Sequence, residues 1–549
     1  MTTSTHETRP ADLEAALHAA QAYRARARTA LLDLVGRDGS ADAALLDTHQ
    51  FAAHGFAWLA SVVAALEALV AWDRRRADAP PRRERDRLIA ELGAADLLLQ
   101  LGTGIAMSQA ETARPADLGL AAEAAAMLAT PAAAALVARA TPAARERLAA
   151  LLDETLLEPE FGDDETDRMA AAIRRFARAR IQPFGQRWHR EDMLIPIEVI
   201  AGLAELGVFG LTIPEAFGGL GLGKVAMCAV TEELSAAFLG AGSLGTRSEI
   251  AGELIRSAGT PGQRARYLAR IADGSCLPTA VFTEPDIGSD LANLRTRAVR
   301  DGDVYRLTGA KTWITHAARA DLMTVLARTG RPEDGHRGLS MFLVEKPRGT
   351  DADAFPLPGL TGTEIRVLGY RGMKEYELAF DALPVPATAL LGEIEGQGFK
   401  QLMATFESAR IQTAARAVGV ARAALAEAMA YARARRQFGR PISAFPRVAH
   451  KLAAIAIETT IARELALDAA RAKDGDRRCD IEAGMAKLYA ARVAWSAADN
   501  AVQIHGGNGY AEEYPVSRLL VDARILNIFE GAAEIQAQVI ARGLLARRN

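Results

Sequence analysis

The sequence predicts a multidomain α+β protein in which helical segments flank one β-rich stretch. Three observations carry that reading. The 549 residues exceed what one ordinary hydrophobic core organises, so two or more domains are expected. Alanine- and leucine-rich segments with apolar residues at helical spacing fill the first 157 residues, and helical spacing returns from about residue 396. Between Thr279 and about Pro386 the pattern changes to short β-branched and apolar runs.

The elements follow in order. Residues 1–157 read as a helical accessory domain, broken near Ala79-Pro80-Pro81, Arg114-Pro115 and Thr130-Pro131, because proline cannot continue a helix. Phe51 to Trp72 approaches membrane-span length. It contains His54 and Glu67 and is rich in weakly hydrophobic alanine, so a buried bundle helix is expected rather than membrane insertion. Leu156 to Asp164, acidic and carrying Pro159 and Gly162, is the candidate linker. Residues 158–279 form a second helical domain. Its glycine-rich segment Ile213 to Gly221 lacks the preceding β run and glycine spacing of a dinucleotide fingerprint and reads as a structural turn. Residues 280–395 form the β domain, with strands at Val304 to Leu307, Leu322 to Ala327, Leu339 to Val344 and Glu377 to Phe380, and turns at Asp301-Gly302 and Thr308-Gly309. Residues 396–549 form a helical bundle with Leu402, Met403, Phe406, Ile457, Ile461 and Leu465 on its apolar faces.

Charge narrows the partners. A formal net charge of -3 offers no global attraction to nucleic acid or an anionic membrane. Cys228, Cys276 and Cys479 lack metal-ligand spacing and cannot all pair internally, so no metal site is expected. Met1 to Pro10 has no apolar signal core, and a cytoplasmic protein is expected.

The most informative chemistry lies at Ile528-Phe529-Glu530-Gly531-Ala532. Gly531 frees the backbone ahead of a helix expected over Ala532 to Leu545, which places one carboxylate beside an aromatic ring at the helix start. The positive end of the helix dipole favours ionised Glu530, whereas burial under an apolar substrate raises its pKa, a combination suited to proton abstraction. The alternative is a helix-terminal carboxylate with an electrostatic role only.

Four other segments bear on that choice: Thr283-Glu284-Pro285-Asp286-Ile287-Gly288-Ser289-Asp290, Lys311-Thr312-Trp313-Ile314-Thr315, Arg436-Gln437-Phe438-Gly439 and Gln503-Ile504-His505-Gly506-Gly507-Asn508-Gly509-Tyr510. They stand in the order seen in acyl-CoA dehydrogenases, and the chain from about residue 160 to 549 resembles that family. The resemblance implies the acyl-CoA dehydrogenase fold with an additional N-terminal helical domain. It also implies FAD as cofactor, an acyl-CoA substrate and an electron-transferring flavoprotein as partner. The flavin contacts it implies are Phe282, Thr283, Ser289, Trp313 and Thr315 from the β domain, with Arg435, Phe438, Gln503, Gly506 and Gly507 from another subunit, and hence at least a homodimer. It makes Glu530 the base, with Phe529 beside the reacting carbons. Some members carry the base immediately before the arginine matched by Arg410, but that position is Ala409 here. Ala532 stands where relatives often carry threonine.

Taken singly, Trp313 reads as core and the threonines as strand residues; the two matched motifs together favour flavin contact. A substrate with a distal carboxylate needs donors inside an otherwise apolar site. Thr246-Arg247-Ser248 is the leading candidate, with a surface or helix-capping cluster as the alternative, and Arg410 is a second candidate. A noncatalytic binding protein of the same fold remains the alternative from a different functional class.

Overall fold

The computed structural model describes residues 10–37, 40–77 and 83–546. The helices are α1 (Pro10–Val35), α2 (Ala43–Thr48), α3 (Gln50–Ala77), α4 (Glu84–Thr103), α5 (Ala121–Leu128), α6 (Pro131–Arg139) and α7 (Pro142–Leu151), then α8 (Asp164–Arg180), α9 (Gln182–Arg190), α10 (Ile197–Glu205), α11 (Lys224–Ala237), α12 (Leu239–Ala258) and α13 (Pro261–Ala272). After the sheet come α14 (Gly398–Ala434), α15 (Pro446–Asp474), α16 (Asp480–His505), α17 (Pro515–Ile525) and α18 (Ala533–Ala546). Pro131 opens α6 and Pro115 opens a short 3-10 turn, as the missing proline N–H dictates. The break expected at Ala79-Pro80-Pro81 and the polar start of the chain lie outside the described residues.

The chain divides into two compact units. One combines the described part of Met1–Pro159 with Val420–Ala472 and Arg477–Asn549; the other is Glu160–Gly419 with Lys473–Asp476. In the first unit the N-terminal helices share a core with the C-terminal bundle rather than forming a core of their own. Helix α3 is long and apolar enough to cross a membrane, yet most of it is buried, packing on α1, α4, α16 and α18. Fully burying Leu66 and Leu69 contributes about 1.5–3 kcal/mol each. Gly93 permits the close approach of α4 to α15, since a Cβ there would meet Leu69 at 2.9 Å and Ile457 at 3.1 Å.

In the second unit a seven-stranded sheet contains β1 (Pro278–Val281), β2 (Arg297–Asp301), β3 (Val304–Thr315), β4 (Leu322–Arg328), β5 (Leu339–Glu345), β6 (Leu360–Ile365) and β7 (Glu375–Pro386). The order is β6-β7-β3-β2-β4-β1, with β5 pairing antiparallel to β4 and β1 parallel to it. β4 is buried along its whole length, which is why it reads as one apolar run rather than an alternation.

Three strands escaped the sequence pattern. β2, Arg-Ala-Val-Arg-Asp, buries only Ala298; β6 is largely exposed and contains Gly362; β1 is short and opens with proline. Thr308-Gly309, expected as a turn, lies inside β3. Gly309 adopts φ +150° there because a Cβ would meet Thr296 atoms from 2.6 Å, so this glycine allows close strand approach instead of reversing the chain. Ile213 to Gly221 is a turn: Gly218 and Gly221 have φ of +77° and +62°, and a Cβ on Gly219 would meet Ile213 O at 2.0 Å.

Candidate active site

The second unit presents an indole through a β-bulge. Ile314 pairs with Tyr376 and Lys311 with Leu378, so β3 carries one extra residue against β7. Trp313 takes φ +59° at that bulge, an outlier for a bulky residue, and is 57% exposed while Thr312 and Ile314 on either side are buried. The N–H of Thr312 donates to Thr283 O at 2.9 Å, joining the bulge to the loop that carries Phe282, Thr283 and Ser289. Glu284 anchors that loop by accepting from the N–H groups of Arg295 (2.7 Å) and Thr296 (2.8 Å) and from Lys311 Nζ (3.0 Å). Burial works to raise the Glu284 carboxyl, but the Lys311 ammonium and these hydrogen bonds together hold it below its ordinary value. Lys311, fully buried, also donates to Phe282 O, and burial pushes its ammonium down to about 8. Ser289 is exposed, and Phe282 and Thr283 are half-buried.

Arg247 projects from α12 in the same unit. Its Nη2 donates to Thr315 Oγ1 and Tyr370 Oη, both at 3.1 Å, and Thr315 Oγ1 in turn donates to Glu375 Oε2 at 2.9 Å. The side chain of Thr315 therefore joins the Arg247 network rather than standing alone on the β domain edge. The expected fork of Thr246, Arg247 and Ser248 does not form as one cluster. These are successive residues of a helix, so their side chains diverge by about 100°. The Thr246 and Ser248 hydroxyls are buried and meet no hydrogen-bond partner among the described residues. Arg410 is half-buried on α14 with its guanidinium 5.8 Å from the Phe406 ring centroid. Burial, with the charges of Arg319, Arg348 and Arg247 acting the same way, pushes the His316 imidazole down to about 3.

In the first unit Glu530 stands three residues before α18, in a turn that its neighbours clamp. Glu530 and Gly531 both take left-handed backbone, φ +47° and +92°. Buried Gln536 donates through Nε2 to Glu530 O (3.2 Å) and Gly531 O (3.4 Å), and Lys487 Nζ donates to Gly531 O at 2.6 Å. A Cβ on Gly531 would meet Gln536 Nε2 at 2.1 Å, so glycine is required there. Phe529 and Glu530 are half-buried. Elsewhere in this unit Arg436–Gln437 and Arg440–Pro441 form a hairpin whose tip, Phe438 and Gly439, has φ of +49° and +81°, the geometry of a type I′ turn. Phe438 is 93% exposed and Arg435 is exposed beside it. Gln503, in the last turn of α16, is exposed, and a Cβ on Gly506 or Gly507 would meet nothing within 4 Å.

Models of the acyl-CoA dehydrogenase N-terminal, middle and C-terminal domains match residues 163–275, 279–383 and 396–545. The chain belongs to the acyl-CoA dehydrogenase family. It is 56% identical over 537 residues to the (2S)-methylsuccinyl-CoA dehydrogenase of Cereibacter sphaeroides, covering 96% of this chain and 97% of that one. The solved butyryl-CoA dehydrogenase of Megasphaera elsdenii matches with 33% identity and a TM-score of 0.66, over 70% of this chain and 98% of that one. A glutaryl-CoA dehydrogenase of Mycobacterium smegmatis, solved in complex with FADH2, matches with 30% identity and a TM-score of 0.64, over 71% and 96%.

This acyl-CoA dehydrogenase is thus an FAD-dependent oxidoreductase acting on CH–CH groups. Its residues fit the cofactor. The bulge at Trp313 presents an aromatic face suited to isoalloxazine, and the open backbone at Gly506 and Gly507 leaves room that side chains would fill. Sequence reading gave no role to Tyr370 or Glu375, or to Arg416 on α14. The signal for Arg416 was available: one arginine in the otherwise apolar helical run Ala414-Ala415-Arg416-Ala417-Val418.

Proposed function

We propose that this chain oxidises (2S)-methylsuccinyl-CoA to mesaconyl-CoA. Glu530 takes the α-proton onto its carboxylate, and the carbon–carbon double bond forms as the β-hydrogen leaves with its electron pair. When bound, FAD supplies the two-electron acceptor at N5. The clamped turn at Glu530 fixes the base, with Phe529 beside the reacting carbons. Trp313, Phe282, Thr283, Ser289 and Thr315 hold the flavin end, and Arg435, Phe438, Gln503, Gly506 and Gly507 hold the rest of the cofactor from a second copy of the chain. Arg435 supplies a charge-assisted contact to its pyrophosphate. Electrons then pass to an electron-transferring flavoprotein, in the cytoplasm.

The observation that carries the substrate is Arg247, a half-buried guanidinium held in place by Thr315 and Tyr370. A preorganised cation of this kind suits a distal carboxylate and gives an uncharged acyl chain nothing to bind. The segments Tyr370 to Tyr376 and Phe406 to Arg416 resemble methylsuccinyl-CoA dehydrogenase, as does the N-terminal extension.

The test is a panel of methylsuccinyl-, butyryl-, isobutyryl-, 2-methylbutyryl- and glutaryl-CoA with FAD-loaded protein, following flavin bleaching and products. Methylsuccinyl-CoA should bleach fastest, and Arg247→Met should remove that preference. Faster bleaching by an uncharged branched thioester would assign that substrate instead, and no bleaching with any thioester would favour a binding protein.

A further inference from the structure

The β domain holds a buried charge pair whose role rests on the flavin contacts proposed above. Lys311 is the last paired residue of β3 before the bulge that presents Trp313, and it is fully buried. Its Nζ donates to Phe282 O at 2.8 Å and to Glu284 Oε1 at 3.0 Å, and the next N–H along β3, that of Thr312, donates to Thr283 O. Three successive residues of one loop are therefore held by two successive residues of one strand. Glu284, itself buried, closes the far end of the same loop. Its Oε1 also accepts from the Thr296 N–H, its Oε2 accepts from the Arg295 N–H, and its backbone exchanges two hydrogen bonds of 3.0 Å with Ile287.

Stability alone does not account for an ion pair at this position. Buried pairs replaced by apolar residues of similar volume often leave a protein as stable or more so. What this pair fixes is the loop against the strand, and the proposed flavin contacts lie on both sides of it: Phe282, Thr283 and Ser289 on the loop, Trp313 on the bulge. From Pro285 to Asp290 the loop is exposed apart from Ile287, so it has little packing of its own to hold its shape. A site whose parts are fixed before the ligand arrives binds more tightly, because less freedom is lost on binding.

We propose that Lys311 and Glu284 are positioning residues for FAD, fixing the loop of residues 282–296 against the Trp313 bulge so that the flavin is held tightly and in one orientation without either side chain touching it.

The experiment follows FAD release from diluted holoenzyme by flavin fluorescence, and the visible circular dichroism of the bound flavin, in wild type, Lys311→Met, Glu284→Gln, the Lys311→Met/Glu284→Gln double variant and Lys346→Met. Lys346 is the matched control. It is buried in the same domain, donates to two carbonyls, and burial pushes its ammonium to about 8 as it does that of Lys311, but those carbonyls, of Ala318 and Pro347, belong to neither the loop nor the bulge. Lys311→Met and Glu284→Gln should each raise the FAD dissociation constant by about tenfold or more, the loss expected for a hydrogen bond to a charged group, and should change the flavin dichroism. The double variant should lose no more than the worse single one, because both act on one loop. Lys346→Met should change neither reading. An unchanged constant in Lys311→Met, an equal rise in Lys346→Met, or additive losses in the double variant would overturn the proposal. If Lys311→Met fails to fold, Glu284→Gln, which keeps the shape of the side chain, decides the matter. Trp313→Phe is the reference for the site itself and should change the dichroism. Unchanged dichroism in Trp313→Phe would overturn the proposed flavin contacts and this proposal with them. Changed dichroism there, beside wild-type readings in Lys311→Met and Glu284→Gln, would overturn this proposal alone.

Discussion

Gly531→Ala tests the proposed base through its backbone, without changing the Glu530 side chain itself. At φ +92° an L-residue costs about 1–2 kcal/mol. The new Cβ would also come within 2.1 Å of Gln536 Nε2, so the amide must move. That movement breaks two hydrogen bonds, to Glu530 O and Gly531 O, worth about 1 kcal/mol each. The strain is therefore about 3–4 kcal/mol, concentrated in the turn that aims Glu530, and relaxing it shifts the carboxylate. A displacement of about 1 Å costs about a hundredfold in rate. Stopped-flow flavin bleaching with saturating acyl-CoA should fall by about that factor, while FAD content stays at the wild-type level. Gln536→Ala opens the space that the new methyl needs, so Gly531→Ala/Gln536→Ala should react no more slowly than Gly531→Ala. Bleaching of Gly531→Ala at the wild-type rate would refute the argument that the clamped turn positions the base.

Glu530→Gln should keep FAD and bind acyl-CoA yet lose at least about a hundredfold in single-turnover reduction, since the amide keeps the shape and loses the proton acceptor; near-normal reduction would remove Glu530 as base. Arg435→Ala should raise the FAD dissociation constant by about tenfold or more and recover activity in excess FAD, as expected for a charge-assisted phosphate contact, and an unchanged constant in the folded protein would count against that contact. His316 has its folded pKa at about 3, below the 6.5 of the unfolded chain, so between those values the unfolded state binds the extra proton and stability falls as pH falls. His316→Asn, which tolerates the φ of +65° at that position, should therefore remove about 2 kcal/mol of the destabilisation seen between pH 7 and pH 5. Equal shifts of the urea midpoint in variant and wild type over that range would show that His316 does not titrate this way.

The order of helical, β and helical regions was legible because their periods differ, and β4 and β5 were legible because both are buried, apolar runs. β2 and β6 were not, because an exposed strand full of Arg, Asp, Thr and Gly is held by ladder bonds to its neighbours rather than by its own pattern. The accessory helices were legible as helices, but not as part of the C-terminal core. The contacts that decide it, such as Gly93 against Ile457 and Arg492 over the Trp58 ring at 5.0 Å, join residues hundreds of positions apart.

The proposed site was legible as motifs but not as geometry, for a reason that its residues share. Trp313, Tyr370, Phe438 and Glu530 all have positive φ without being glycine. No propensity predicts that conformation for Trp, Tyr, Phe or Glu, because each pays for it locally and is held there by its surroundings: the β3 bulge, the Arg247 and Arg416 guanidiniums, the hairpin turn, and the Gln536 and Lys487 clamp. Such strain persists only where the rest of the fold over-determines it. It also explains why sequence reading grouped Arg247 with Thr246 and Ser248. Adjacency in sequence was the only proximity it could use, whereas the hydroxyls that hold Arg247 come from Thr315, at the end of β3, and from Tyr370, whose ring reaches it from a left-handed turn.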